Sequence, residues 1–127
     1  MPVKVIIVDD SKLARIVAGK ALAELQPDWS KVEAGSAAEA LALIAEAPVD
    51  VALVDFNMSE MDGLELAAEL RVLHPDMPIA IITANIQDEV IARAREIGAA
   101  FVPKPVTADG LEAFLSGAAL SLRSPRA

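Results

Sequence analysis

Val3-Lys4-Val5-Ile6-Ile7-Val8-Asp9-Asp10-Ser11 is a short Val- and Ile-rich run that stops on two carboxylates and a hydroxyl. An apolar run of this length, without alternation, fits a strand buried on both faces. Ser11 is placed to cap a following helix. Beyond it Ala14, Val17, Ala18, Ala21, Leu22 and Leu25 recur at three- and four-residue spacing, which gives one apolar helical face, and Pro27 ends it.

The same unit repeats along the chain. Residues 31–34 form the weakest strand of the set. Ser36 caps a second helix marked by Ala37, Ala40, Leu41 and Ile44. A strand over 51–54 runs into Asp55. Leu66, Ala67, Leu70 and Leu73 mark a third helix, which stops before Pro75. A strand over 79–82 ends at Thr83. Val90, Ile91, Ala94 and Ile97 mark a fourth helix with Gly98 as its stop. A last strand over 100–102 leads to Lys104-Pro105, and Thr107 caps a fifth helix carrying Leu111, Phe114, Leu115 and Ala118. Five strands alternating with five helices imply an α/β fold, a parallel sheet covered by helices on both faces. Residues 1–120 read as one domain. Residues 121–127, with Pro125 and two arginines, read as a frayed tail.

The bulk numbers agree. At roughly 100–200 residues per domain, 127 residues make one domain. Hydrophobic residues are 54% of the chain but aromatics only 3%, which suits helices packed on a buried sheet. Charges interrupt every apolar stretch before the ~20 residues that a bilayer crossing needs. Met1-Pro2-Val3-Lys4 does not begin a signal peptide, so the cytoplasm is the expected location. With no cysteine, disulfides, thiolate catalysis and thiolate zinc sites are excluded. The formal charge of −8 argues against bulk attraction to nucleic acid or an anionic membrane.

In an open α/β sheet, ligands bind beyond the carboxyl ends of the strands. The polar residues collect at that end: Asp9 and Asp10 after the first strand, Asp55 at the third, Thr83-Ala84 at the fourth and Lys104 after the fifth. Three carboxylates in one pocket repel, so either one holds a proton or a cation neutralises them. A hard cation suits an all-oxygen set, and Mg²⁺ takes one or two carboxylates and fills its shell from water and phosphoryl oxygens. Thr83 offers a hydroxyl donor and Lys104 a point charge for a phosphoryl oxygen. A Gly-x-x-x-x-Gly-Lys loop is absent, so a nucleotide P-loop is not expected.

These residues, with Leu53-Val54-Asp55-Phe56-Asn57-Met58, Met61-Asp62-Gly63, Thr83-Ala84 and Lys104-Pro105, resemble the CheY-like receiver domain of two-component response regulators. The resemblance covers about residues 3–118. It implies a doubly wound, flavodoxin-like sheet in the order 2-1-3-4-5. It implies that Asp55 accepts a phosphoryl group from a histidine kinase or phosphotransfer protein. Asp9, Asp10, Asp55 and the carbonyl of Asn57 would hold Mg²⁺, while Thr83 and Lys104 would act on the acyl phosphate. Apart from this self-directed chemistry no enzyme activity is implied. With no second module in the sequence, output would be binding to another protein. The family's usual surface for this is the fourth helix, fifth strand and fifth helix, here residues 86–98, Phe101 and 111–118.

Some positions depart from the family pattern. The switch position, often Tyr, is Phe101, whose ring can turn but cannot donate a hydrogen bond. Ser59 stands where Pro is common. Asn57 and Asn85 occupy the two positions that tune phosphoryl lifetime, and amides orient water rather than act as bases. Plainer readings exist for single residues. Asp9-Asp10 alone suits a helix N-terminus, Thr83 suits a cap, and His74 suits a solvated helix end. Trp29 is expected to pack on the core, and Met58 and Met61 within their loop. Two other function classes compete: a degenerate receiver that binds partners without phosphate, and a small Mg²⁺-dependent phosphatase. The intact acidic set speaks against the first. Asn57, in place of a second acid-base carboxylate, speaks against the other.

Overall fold

A parallel strand pair cannot be closed by a tight turn, so each return to the sheet runs through a helix. The computed structural model describes residues 3–58, 61–84, 87–104 and 106–123. The elements are β1 (Lys4–Val8), α1 (Lys12–Leu25), β2 (Ser30–Ala34), α2 (Ala37–Glu46), β3 (Val51–Asp55), α3 (Gly63–Leu73), β4 (Ile79–Thr83), α4 (Asp88–Glu96), β5 (Ala100–Pro103) and α5 (Ala108–Arg123). The strands pair in parallel in the order β2-β1-β3-β4-β5, as expected. The order reverses between β1 and β3, which puts the crevice beside Asp9 and Asp55.

Alternate residues of β1, β3 and β4 feed two separate cores. Ile6, Val8, Ala52, Val54 and Ile81 face a layer built by α2, α3 and α4. Val5, Ile7, Val51, Leu53 and Ile82 face α1 and α5. Leu66 and Leu70 fill the first layer, and Leu22, Leu111 and Leu115 the second, each at most 2% exposed. Full burial of such a side chain stabilises the fold by about 1.5–3 kcal/mol. Trp29 is half-buried against the second layer.

Four of the five helix starts, all but that of α4, carry a side-chain cap. Ser11 Oγ accepts from Ala14 N at 3.2 Å, Ser36 Oγ from Glu39 N at 3.1 Å, and Thr107 Oγ1 from Gly110 N at 3.0 Å. Asp62 and Glu65 form a capping box at α3. After α4 the chain turns at Gly98, whose φ of +69° is a left-handed conformation that glycine adopts without strain.

Two residues expected on apolar faces are exposed. Val17 is 39% exposed, because α1 buries Ala18, Gly19, Ala21 and Leu22 and turns Val17 toward a cleft beside the acidic turn. Leu73 is 60% exposed, because the buried face of α3 ends at Leu70, a turn earlier. His74 caps the C-terminus of α3, its N–H donating to the Leu70 carbonyl at 2.7 Å. The helix α5 continues through residues 121–123 of the expected tail. None of the described helices is long and apolar enough to cross a membrane.

Gly63 fixes how closely α3 approaches the end of β3. Its N–H donates to the Phe56 carbonyl at 2.9 Å. A Cβ there would overlap the Asp55 carbonyl oxygen and lie 2.9 Å from Phe56 Cα. Gly63→Ala should therefore destabilise the fold by about 1–3 kcal/mol, the usual cost of overpacking a dense contact. Gly117→Ala in α5, where a Cβ meets nothing within 4 Å, should stabilise it by about 0.4–1 kcal/mol. Urea unfolding of the two variants reads both signs.

Candidate functional site

Parallel pairing brings the strand ends level. Asp55, the last residue of β3, pairs with Ile82, and Thr83 pairs with Pro103. The Lys104 amide then donates to the Thr83 carbonyl at 3.0 Å, which ties the β5 turn to the end of β4. On the other side of β3, the Asp9 amide donates to Ala34 O at 3.0 Å, and Ser11 N donates to Asp9 Oδ1 at 2.9 Å. The backbone thus sets the acidic turn and the lysine on either side of Asp55.

The side chains converge. Carboxylate oxygens of Asp9, Asp10 and Asp55 all lie within 4.8 Å of one another. Asp9 and Asp55 are buried, and Asp10 is exposed at the mouth. Lys104 Nζ stands 2.7 Å from Asp55 Oδ1 and 3.7 Å from Asp9 Oδ2. The 2.7 Å contact is a buried ion pair, and among the described residues Asp55 Oδ1 meets no donor besides Lys104. Thr83 is fully buried at the end of β4. Asn57 and Ala84 are exposed at the rim, and Phe101 is half-buried in β5 opposite Ile81. Asn85, Ile86, Ser59 and Pro105 lie outside the described residues.

The electrostatics follow from this packing. Burial pushes the Asp55 carboxyl above the ordinary carboxylate range, against the pull of Lys104, and the charges of Asp9 and Asp10 push the same way. For Lys104, burial disfavours the ammonium, but contact with Asp55 and the charge of Asp9 outweigh it and raise its pKa. Among the described residues one ammonium faces three carboxylates. A hard cation with oxygen ligands offsets that excess of negative charge, and these residues fit Mg²⁺.

Two contributors act through contacts that the sequence does not announce. Gly63 belongs to the Met61-Asp62-Gly63 stretch, but its contact with the Asp55 carbonyl appears only when α3 docks. Arg15, on α1, donates to the Asp9 carbonyl from a helix position that reads as an ordinary surface charge.

The sequence pattern described as the response regulator receiver domain matches residues 5–116. The transcriptional regulatory protein GlrR of Escherichia coli is 35% identical over 113 residues, which are 87% of this chain and 24% of that protein. The protein-glutamate methylesterase/protein-glutamine glutaminase of Thiobacillus denitrificans is 40% identical over 111 residues, 83% of this chain and 30% of that protein. The chain spans about a quarter to a third of the length of these two curated relatives. Among solved structures, chemotaxis protein CheY4 of Vibrio cholerae superposes with a TM-score of 0.83 at 27% identity, covering 93% of this chain and 99% of that one. A CheY-like receiver domain protein from Methanospirillum hungatei gives a TM-score of 0.86 at 26% identity, covering 97% and 98%. With its sheet order, its acidic pocket and these matches in agreement, the chain belongs to the response regulator receiver domain family of two-component systems.

Proposed function

We propose that Asp55 accepts a phosphoryl group from a phosphohistidine of a histidine kinase or phosphotransfer protein, and that the modified domain signals by binding a protein partner. The observation that carries this reading is the buried Asp55 carboxylate between Asp9, Asp10 and Lys104, with the Lys104 ammonium 2.7 Å from Asp55 Oδ1. In the transfer, an Asp55 oxygen forms a bond to phosphorus as the phosphorus–nitrogen bond of the donor breaks, and the imidazole leaves with a proton. Asp9, Asp10, Asp55 and the carbonyl of Asn57 would hold Mg²⁺, which supplies charge neutralisation for the phosphoryl oxygens. Lys104 is within reach of the incoming group because it already touches Asp55. Thr83, at the end of the neighbouring strand, offers its hydroxyl to the acyl phosphate. Such catalysis is positioning plus electrostatics.

Phosphorylation acts as a ligand for one of two conformations. The new charge sits beside Thr83 and Lys104, and β5 links both to half-buried Phe101. The ring can report the change by its position, without a hydroxyl. The proposed output face is α4, β5 and α5, and Asn57 and Asn85 are assigned to setting the phosphoryl lifetime.

Intact mass after incubation with phosphoramidate should show a gain of one phosphoryl group that needs Mg²⁺ and is lost in Asp55→Asn. Labelling of that variant as in wild type would overturn the assignment. Lys104→Met should keep the fold but slow uptake about 10²-fold, the scale of losing one electrostatic contact to the transition state.

Because folding raises the Asp55 pKa, the acid form is favoured by the fold. The stability this group contributes is present below the ordinary value of 3.8 and is lost as pH rises through the raised value. In EDTA at about pH 7, Asp55→Asn should therefore unfold at higher urea than wild type, and the gain should shrink on acidification. Mg²⁺ should raise the wild-type midpoint more than that of the variant. An advantage for Asp55→Asn that grows on acidification would contradict the direction of the shift.

A further inference from the structure

Asp9 is held by more than its strand. Its amide is bonded to Ala34 O and its Oδ1 accepts from Ser11 N. Its carbonyl accepts from Arg15 Nη1 at 2.6 Å. Only Oδ2 is left toward the pocket, 3.7 Å from Lys104. Arg15 is itself anchored: its Nε meets Glu33 Oε1 at 3.0 Å, and its side chain is 17% exposed. Glu33, on β2, is gripped from the other side by Lys31 Nζ at 2.7 Å. Lys31 and Glu33 share a face of β2 by the two-residue period of a strand. A Cβ at Gly19 would lie 3.1 Å from Lys31 Cε, so the bare helix surface gives the lysine stem its room. Contacts with Lys31 first, and with Arg15, hold Glu33 below the ordinary carboxylate range, so the anchor stays charged.

We propose that Arg15 is a positioning residue for the divalent cation: braced on Glu33, its guanidinium clamps the Asp9 carbonyl and presets where the Asp9 and Asp10 carboxylates meet the ion. This rests on reading Asp9, Asp10 and Asp55 as the Mg²⁺ site. The clamp needs a planar fork, since one group must reach a carbonyl and a carboxylate at once. The sign of the effect separates a clamp from a mere charge. A nearby cation repels Mg²⁺, so removing charge alone would tighten binding. Removing a clamp loosens it.

Calorimetric titration of the full chain with Mg²⁺ tests this. Arg15→Gln should weaken Mg²⁺ binding about tenfold, the low end for losing a contact that orients a metal ligand. Arg15→Lys, which keeps the charge but not the fork, should also weaken it. Glu33→Gln, which keeps Arg15 but weakens its brace, should give a smaller loss of the same sign and serves if Arg15→Gln does not fold. In phosphoramidate labelling the loss should appear in the half-saturating Mg²⁺ concentration rather than in the maximal rate. Unchanged or tighter Mg²⁺ binding in both Arg15 variants would overturn the clamp. Unchanged Mg²⁺ binding in Asp10→Asn would instead overturn the underlying assignment of the metal site.

Discussion

A buried carboxylate at the end of a central strand, with two more carboxylates beside it and one ammonium in contact, is the constraint on which the rest depends. Asp55 is 2% exposed, and burial alone penalises its charge. Lys104 offsets part of that penalty, yet among the described residues three acids still face one base. A hard cation with oxygen ligands would offset this excess of carboxylates, in keeping with the phosphoryl transfer proposed for Asp55.

The fold makes this unfavourable cluster hold. Parallel ladders align the ends of β1, β3, β4 and β5, and the reversal of strand order opens the crevice beside Asp55. Two apolar layers anchor the strands from both faces and leave the charged groups at their ends. Gly63 lets α3 press directly on the Asp55 carbonyl. At the opposite end, Arg71 donates to the carbonyls of Met77 at 2.7 Å, Ile97 at 2.8 Å and Gly98 at 3.1 Å, which pins the α4–β5 turn to α3. The part of the molecule that carries Lys104 is therefore connected to a fixed base.

The elements were legible because their signals are local. Apolar runs ending in polar residues, and serine or threonine three residues before a helical amide, lie within a few positions of one another. Asp9, Asp10, Asp55, Thr83 and Lys104 were legible for a different reason: a parallel sheet puts all strand ends on one side. What depends on how a helix rolls against the sheet was not. Val17 and Leu73 fit an apolar period but lie where the neighbouring layer stops. Arg15 and Arg71 look like surface charges in sequence, and only docking shows that each satisfies backbone carbonyls. The closeness of Lys104 to Asp55 is likewise a tertiary fact.

The central claim is that Asp55 itself is the acceptor. Borohydride reduces an acyl phosphate to the alcohol, so a phosphorylated aspartate becomes homoserine and keeps its place in the peptide map. After Mg²⁺ and phosphoramidate treatment, peptide mass spectrometry should find homoserine at Asp55, and only when Mg²⁺ was present. Homoserine at Asp9 or Asp10, or phosphoryl gain with Asp55 unreduced, would contradict the account.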